Sequence, residues 1–88
     1  MAPIEQIEIR TRYGGRGVIA SAIVDGKRFS AQSSSGHQSA AEKLTAMVVF
    51  GTCVKTYVKA ASLEYEFRQI HAESNGDRVF TARRRLGG

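Results

Sequence analysis

Arginine is the residue type through which this chain is best equipped to do chemistry. Nine of its thirteen basic residues are Arg, a planar fork of donors that matches the paired oxygens of phosphate and carboxylate. Six stand at the polar positions of alternating segments: Arg10 and Arg12, Arg28, Arg68, and Arg83 and Arg85. Gathered on one surface, they would grip a run of phosphates, with an affinity that falls steeply as salt is added. The segment Arg12-Tyr13-Gly14-Gly15-Arg16-Gly17 adds Arg16 and a tyrosine whose ring would stack on a base. Arg84 completes a triple-arginine run with Arg83 and Arg85. The plainer reading is that Glu8, Glu64, Glu66 and Glu73 pair with these cations on a solvated surface, where each pair is worth little.

Other chemistries have a weaker footing. His37 and His71 fall in different segments, and the only cysteine, Cys53, lies in an apolar helical pattern where a buried, inert thiol is the usual outcome. Two histidines and one cysteine without close spacing do not form a structural zinc site. Ser33-Ser34-Ser35-Gly36-His37-Gln38-Ser39 lacks the Gly-Lys-Ser/Thr ending of a phosphate-binding loop and reads as a connector. The chain is therefore expected to be neither an enzyme nor a metal or cofactor carrier.

Composition agrees with that direction. Eighty-eight residues, 42% apolar and 24% charged, suit one small domain with a thin core, spanning 1–88 and ending in a short flexible basic tail over about 83–88. The net charge of +5 calls for an acidic partner. A lone cysteine fits a reducing cytoplasm, and the start Met1-Ala2-Pro3-Ile4-Glu5 carries no leader pattern. No apolar stretch approaches a membrane span, the longest being Ala46 to Phe50.

The elements that must position the arginines follow from periodicity. Ile7 and Ile9 alternate with Glu8, Arg10 and Arg12, the two-residue period of a half-buried strand. Val18 to Val24 forms a second strand, and Asp25-Gly26 turns it tightly into a third, where Phe29 and Ala31 alternate with Arg28, Ser30 and Gln32. Ser39 and Glu42 have the spacing of a helix-capping box. Ala40, Leu44, Met47, Val48, Gly51, Val54, Val58 and Ala61 then trace one buried stripe, predicting a single long helix with Lys55 and Lys59 towards its negative end. From Leu63 the period returns to two, and Asn75-Gly76 marks a hairpin between a fourth and a fifth strand. A two-residue loop there sets Arg68 opposite Arg83 and His71 opposite Phe80.

The expected fold is α+β, an antiparallel five-stranded sheet in the order β-β-β-α-β-β with one long helix packed on one face. The other face is left to solvent or a partner. The expected function is that of a small basic nucleic-acid-binding protein, contacting DNA or RNA phosphates through Arg10, Arg12, Arg16, Arg28, Arg68, Arg83, Arg84 and Arg85 with Tyr13. The alternative is an inhibitor or adaptor that docks the same basic face on an acidic protein surface. A thin core and open sheet edges also favour a homodimer.

Overall fold

Alternation along the first two segments decides the architecture. In the computed structural model, which describes residues 4–85, β1 (Gln6–Gly14) buries Ile7, Ile9 and Thr11, and β2 (Gly17–Val24) buries Val18, Ala20 and Ala22. Both hairpin turns in this half are two residues long. Gly14 pairs with Gly17 around Gly15-Arg16, so the glycine-rich segment is a tight turn, and Val24 pairs with Lys27 around Asp25-Gly26. Asp25 and Gly26 have φ of 51° and 78°, the double left-handed pair that a type I′ turn needs. β3 (Lys27–Ser33) follows.

The apolar stripe that predicts one long helix is divided in two: α1 (His37–Phe50) and α2 (Lys55–Glu64), bent by 94°. The break is at Gly51, whose left-handed φ of 77° lets its N–H reach the Met47 carbonyl and close α1. Length explains why no more helix is needed over the sheet. Fourteen residues span about 21 Å, close to the roughly 23–26 Å of a seven- or eight-residue strand beneath them. Lys55 and Lys59 therefore begin α2 rather than end a long helix, and Leu63 lies in α2 rather than in a strand. Val54 and Cys53 are exposed at the bend, so the thiol is not a core group. The capping box is also absent. Gly36 caps α1, while the Ser39 hydroxyl accepts from Ser33 and Glu42 accepts from the Gln38 amide.

β4 (Tyr65–Ala72) and β5 (Arg78–Arg84) complete an antiparallel sheet in the order β3-β2-β1-β5-β4, in the α+β class. The hairpin between them differs from the two-residue expectation. Glu73 N–H donates to Asp77, Gly76 N–H donates back to Glu73, and Gly76 takes a φ of 98°, so Ser74-Asn75-Gly76 forms a three-residue loop. A bulge at Ile70 shifts the register by one residue more in the same direction, which restores the parity of the faces. As a result Arg68 faces Thr81, Glu66 faces Arg83, Gln69 faces Phe80 and His71 faces Val79. Arg83 and Arg84 are strand residues rather than tail, and the Arg85 N–H is held by the Glu64 carbonyl. The remainder of the expected tail, 86–88, lies outside the described residues, as do Met1, Ala2 and Pro3.

The core is Ile7, Ile9, Val18, Ala20, Ala40, Ala41, Leu44, Tyr65, Phe80 and Ala82, with Phe29, Ala31 and Phe67 packed against it. Alanines on both β2 and α1 bring the helix close to the sheet, chiefly over β3 and β2. α2 rests beside α1 and β4 and buries only Ala61 fully. Tyr65 is 1% exposed and donates its hydroxyl to the Ile4 carbonyl. Burial, with Glu64 adding to it, raises the pKa of that phenol. Among the described residues, no single helix is long and apolar enough to cross a membrane.

Candidate functional site

The helices cover one face of the sheet and leave the other open. The inward positions of each strand fix which side chains reach the open face, because alternate residues point opposite ways. Gln6, Glu8, Arg10 and Arg12 of β1 lie there, with Ile19, Ser21 and Ile23 of β2 and Arg28, Ser30 and Gln32 of β3. Glu66 and Arg68 of β4 and Val79, Thr81 and Arg83 of β5 complete it. Five of the six arginines expected to share a face, Arg10, Arg12, Arg28, Arg68 and Arg83, therefore do so. Arg85 is exposed just beyond the end of β5.

Three depressions on this face are lined by its arginines. One of about 700 Å³ is lined by Arg10, Arg12, Arg28, Ile19, Ile23 and Ser30 among others. A second of about 400 Å³ shares Arg10 and Arg12 and runs on to Glu73, Asp77 and Arg78. A third of about 250 Å³ lies between β4 and β5, bounded by Glu66, Arg68, Ile70 and Arg83. Arg10 and Arg12 form the wall common to the first two.

Register places the charges relative to one another. Glu8 sits in the same cross-strand row as Thr81 and Arg68, whereas the β1–β2 ladder ends at Arg10–Ser21, short of Glu8. With strands about 4.8 Å apart and about 3.4 Å per residue, the backbone position of Arg10 lies roughly 7 Å from that of Glu8, Arg83 roughly 8 Å and Arg68 roughly 10 Å. Three arginine positions, 10, 68 and 83, thus surround Glu8. Arg68 is 3.9 Å from Glu66, with both side chains mostly exposed. Arg10, Arg12, Arg28 and Arg83 make no ion pair among the described residues. Five arginines against Glu8 and Glu66 leave this face an excess of three positive charges.

The remaining expected contacts lie elsewhere. Arg84 points to the helix side of β5, half-buried, with Glu5 at 3.7 Å. Arg16 occupies the β1–β2 turn, exposed at the sheet end. Tyr13 pairs with the buried Val18, which directs its ring to the helix side. There it meets the His37 ring edge-on at 4.8 Å and lies against Gly76. It is still 61% exposed, but it is no part of the arginine face. The aromatic side chains of the five strands all lie on the helix side: Tyr13, Phe29, Tyr65, Phe67 and Phe80.

Behind Tyr13 lies a polar arrangement that periodicity does not announce. His37 is only 6% exposed, its Nδ1 is 2.7 Å from the Thr11 hydroxyl, and its Nε2 is buried without a partner. Burial lowers its pKa, the Arg78 charge lowers it further, and Asp77 opposes both. His71 is exposed on β4, 3.0 Å from Glu73, and not packed in the sheet as its expected register implies. Cys53 is at the opposite end of α1 from His37, about 20 Å away by helix length. No group of three or more His, Cys, Asp or Glu side chains that would hold a metal ion occurs among the described residues.

Exposed aliphatic residues are what the charge pattern conceals. Ile23 is 68% exposed in the first depression and Ile70 is 54% exposed in the third. Ile23 and Ile70 are both legible as outward positions, Ile70 sharing the parity of Glu66 and Arg68. The chain matches no family model, no curated protein and no solved structure.

Proposed function

We propose that the open sheet face binds the phosphodiester backbone of a nucleic acid, with little discrimination among sequences. The observation that carries this reading is the gathering of Arg10, Arg12, Arg28 and Arg83 on one uncovered face with no carboxylate in ion-pair contact. Exposed guanidinium groups without internal partners remain available to phosphate oxygens, and binding releases the counterions condensed on the polyanion. Arg68 joins them by leaving Glu66. Arg16 and Arg85 extend the positive surface at its ends. The absence of aromatic side chains from the strands' open face favours backbone contact over base stacking. The protein acts here as a binding module rather than a catalyst.

The test is a titration of a fluorescein-labelled 20-nucleotide DNA, single-stranded and duplex, with the wild-type chain and Arg10→Gln/Arg28→Gln. Each lost phosphate contact should lower the slope of log K against log salt by about 1 in magnitude, and weaken binding uniformly across sequences. An unchanged affinity and slope in the double variant would defeat the proposal.

A second reading is favoured by Ile23 and Ile70, which flank the arginines in two depressions. Apolar side chains interleaved with arginines also suit a protein interface, where Arg and a desolvated centre provide most of the affinity. The partner would be an acidic protein surface. Failure of the wild-type chain to bind either DNA or RNA at 50 mM salt would favour this reading.

A further inference from the structure

We infer that the bend between α1 and α2 is a hinge through which two copies of this chain exchange their α2–β4–β5 segments. The first ground is a mismatch between sequence and structure. The apolar stripe Leu44, Val48, Gly51, Val54, Val58 and Ala61 keeps helical spacing through the break, as one straight helix over 37–64 would require. In the bent form that continuity is lost, and the apolar residues at the bend turn outward: Val54 is 59% exposed, Tyr57 45% and Phe50 36%.

The second ground is how lightly the bend is held. Gly51 carries the left-handed φ, and a Cβ placed on it would meet nothing within 4 Å. Beyond it, one side-chain hydrogen bond, the Val54 N–H to the Thr52 hydroxyl at 3.3 Å, and one tilted ring pair, Phe50–Tyr57 at 5.3 Å, are made at the turn among the described residues. α2 itself has one fully buried residue, Ala61. A short hinge with few contacts of its own is the usual site of exchange between identical chains.

The third ground is that exchange costs no native pairing. Straightening the helix carries α2, β4 and β5 away together, and β4 and β5 remain paired. The β1–β5 ladder from Gln6–Arg83 to Thr11–Arg78 then forms with the partner's β5 instead of the chain's own. In such a two-fold dimer the two hinges run side by side, so Phe50, Val54 and Tyr57 of each chain gain a cover they lack in the monomer. Exposed Cys53 falls within that hinge and reports on it.

The experiment compares the wild-type chain with Gly51→Ala and Thr52→Ala, each refolded over a range of concentrations and analysed by sedimentation equilibrium. Alanine at 51 disfavours the left-handed bend and favours continuous helix, while Thr52→Ala removes the hydroxyl that accepts the Val54 N–H. Because each dimer contains two hinges, Gly51→Ala should tighten dimerisation by about 100-fold or more, and Thr52→Ala should act in the same direction by a smaller factor. Bis-maleimide bridging of Cys53 to Cys53 should rise with dimer content, and dimers should trade subunits slowly, since exchange requires β5 to leave β1. Gly51→Ala and Thr52→Ala chains that stay monomeric would overturn the inference. So would a dimer that neither substitution strengthens, or one that trades subunits rapidly without Cys53 bridging. Should Gly51→Ala fail to fold, Thr52→Ala alone decides.

Discussion

Replacing Glu8 with glutamine should make the open face a better polyanion binder. Glu8 is exposed in the middle strand, among Arg10, Arg68 and Arg83, and no ion pair among the described residues engages it. A phosphate held by this ring would lie about 6 Å from the carboxylate, where two unit charges in water repel by about 0.7 kcal/mol, or roughly 0.4 kcal/mol after screening at 0.1 M salt. Two such phosphates make the expected gain about 3- to 4-fold in affinity at 0.1 M salt, falling below about 2-fold as the Debye length shrinks near 0.5 M. Gln retains the length and hydrogen-bonding capacity of the side chain, so stability should hardly change. Fluorescence anisotropy of a labelled oligonucleotide at both salt concentrations reads the effect directly. An unchanged or weaker affinity in Glu8→Gln at 0.1 M would refute the placement of phosphates over this ring.

Three further outcomes test the scaffold. His37 has a lowered pKa in the folded chain, so the unfolded chain binds the proton more readily. The stability it contributes is present above about pH 6.5 and is lost as pH falls from there through the folded pKa, at up to about 1.4 kcal/mol per pH unit. Urea melts of the wild type and His37→Gln over pH 4.5–7.5 should show that slope only in the wild type, and equal slopes would contradict the buried Thr11–His37 contact. Gly17→Ala should destabilise by about 2 kcal/mol or more, because the new methyl would collide with the Ser33 carbonyl oxygen and backbone cannot swing aside as a flexible side chain does. A thermal melt within about 2 °C of wild type would contradict the close approach of Gly17 to the Ser33 carbonyl. A double-mutant cycle on Glu66 and Arg83, which face each other, should give an attractive coupling of about 0.2–1 kcal/mol, whereas a cycle on Arg68 and Arg83 should give none that is attractive.

Much of the fold is legible because its signals are local. The alternation of Ile7 and Ile9 with charged residues and the Asp25-Gly26 turn lead directly to the first hairpins, and alternation alone places five arginines on one face. The failures come where two local signals compete. The Ala40–Ala61 stripe promises one helix, but Gly51 tolerates a positive φ, and the sheet below is no longer than α1. Asn75-Gly76 fits both a two-residue and a three-residue loop. The choice rests on the Glu73–Asp77 backbone bonds and the Ile70 bulge, which no single residue announces. The three-residue loop and the bulge each shift the register by one, so together they move Arg83 from Arg68 to Glu66 without changing its face, which is why the face is legible and the pairing is not. Tyr13 looks like a stacking ring beside a cationic turn, yet the parity of Thr11 and Val18 sends it to His37. Arg84 is misread for a simpler reason: a triple-arginine run resembles a tail, while strand alternation turns its middle member inward.

Whether this arginine face binds a polyanion backbone is decided by the salt dependence of nucleic-acid binding by the unmodified chain. With the four arginines that lack an internal ion pair each taking one phosphate of duplex DNA, log K should fall against log salt with a slope of about −3.6, a loss of roughly 100-fold or more between 50 and 200 mM. No binding to DNA or RNA at 50 mM salt, or binding with a slope near zero, would contradict the claim.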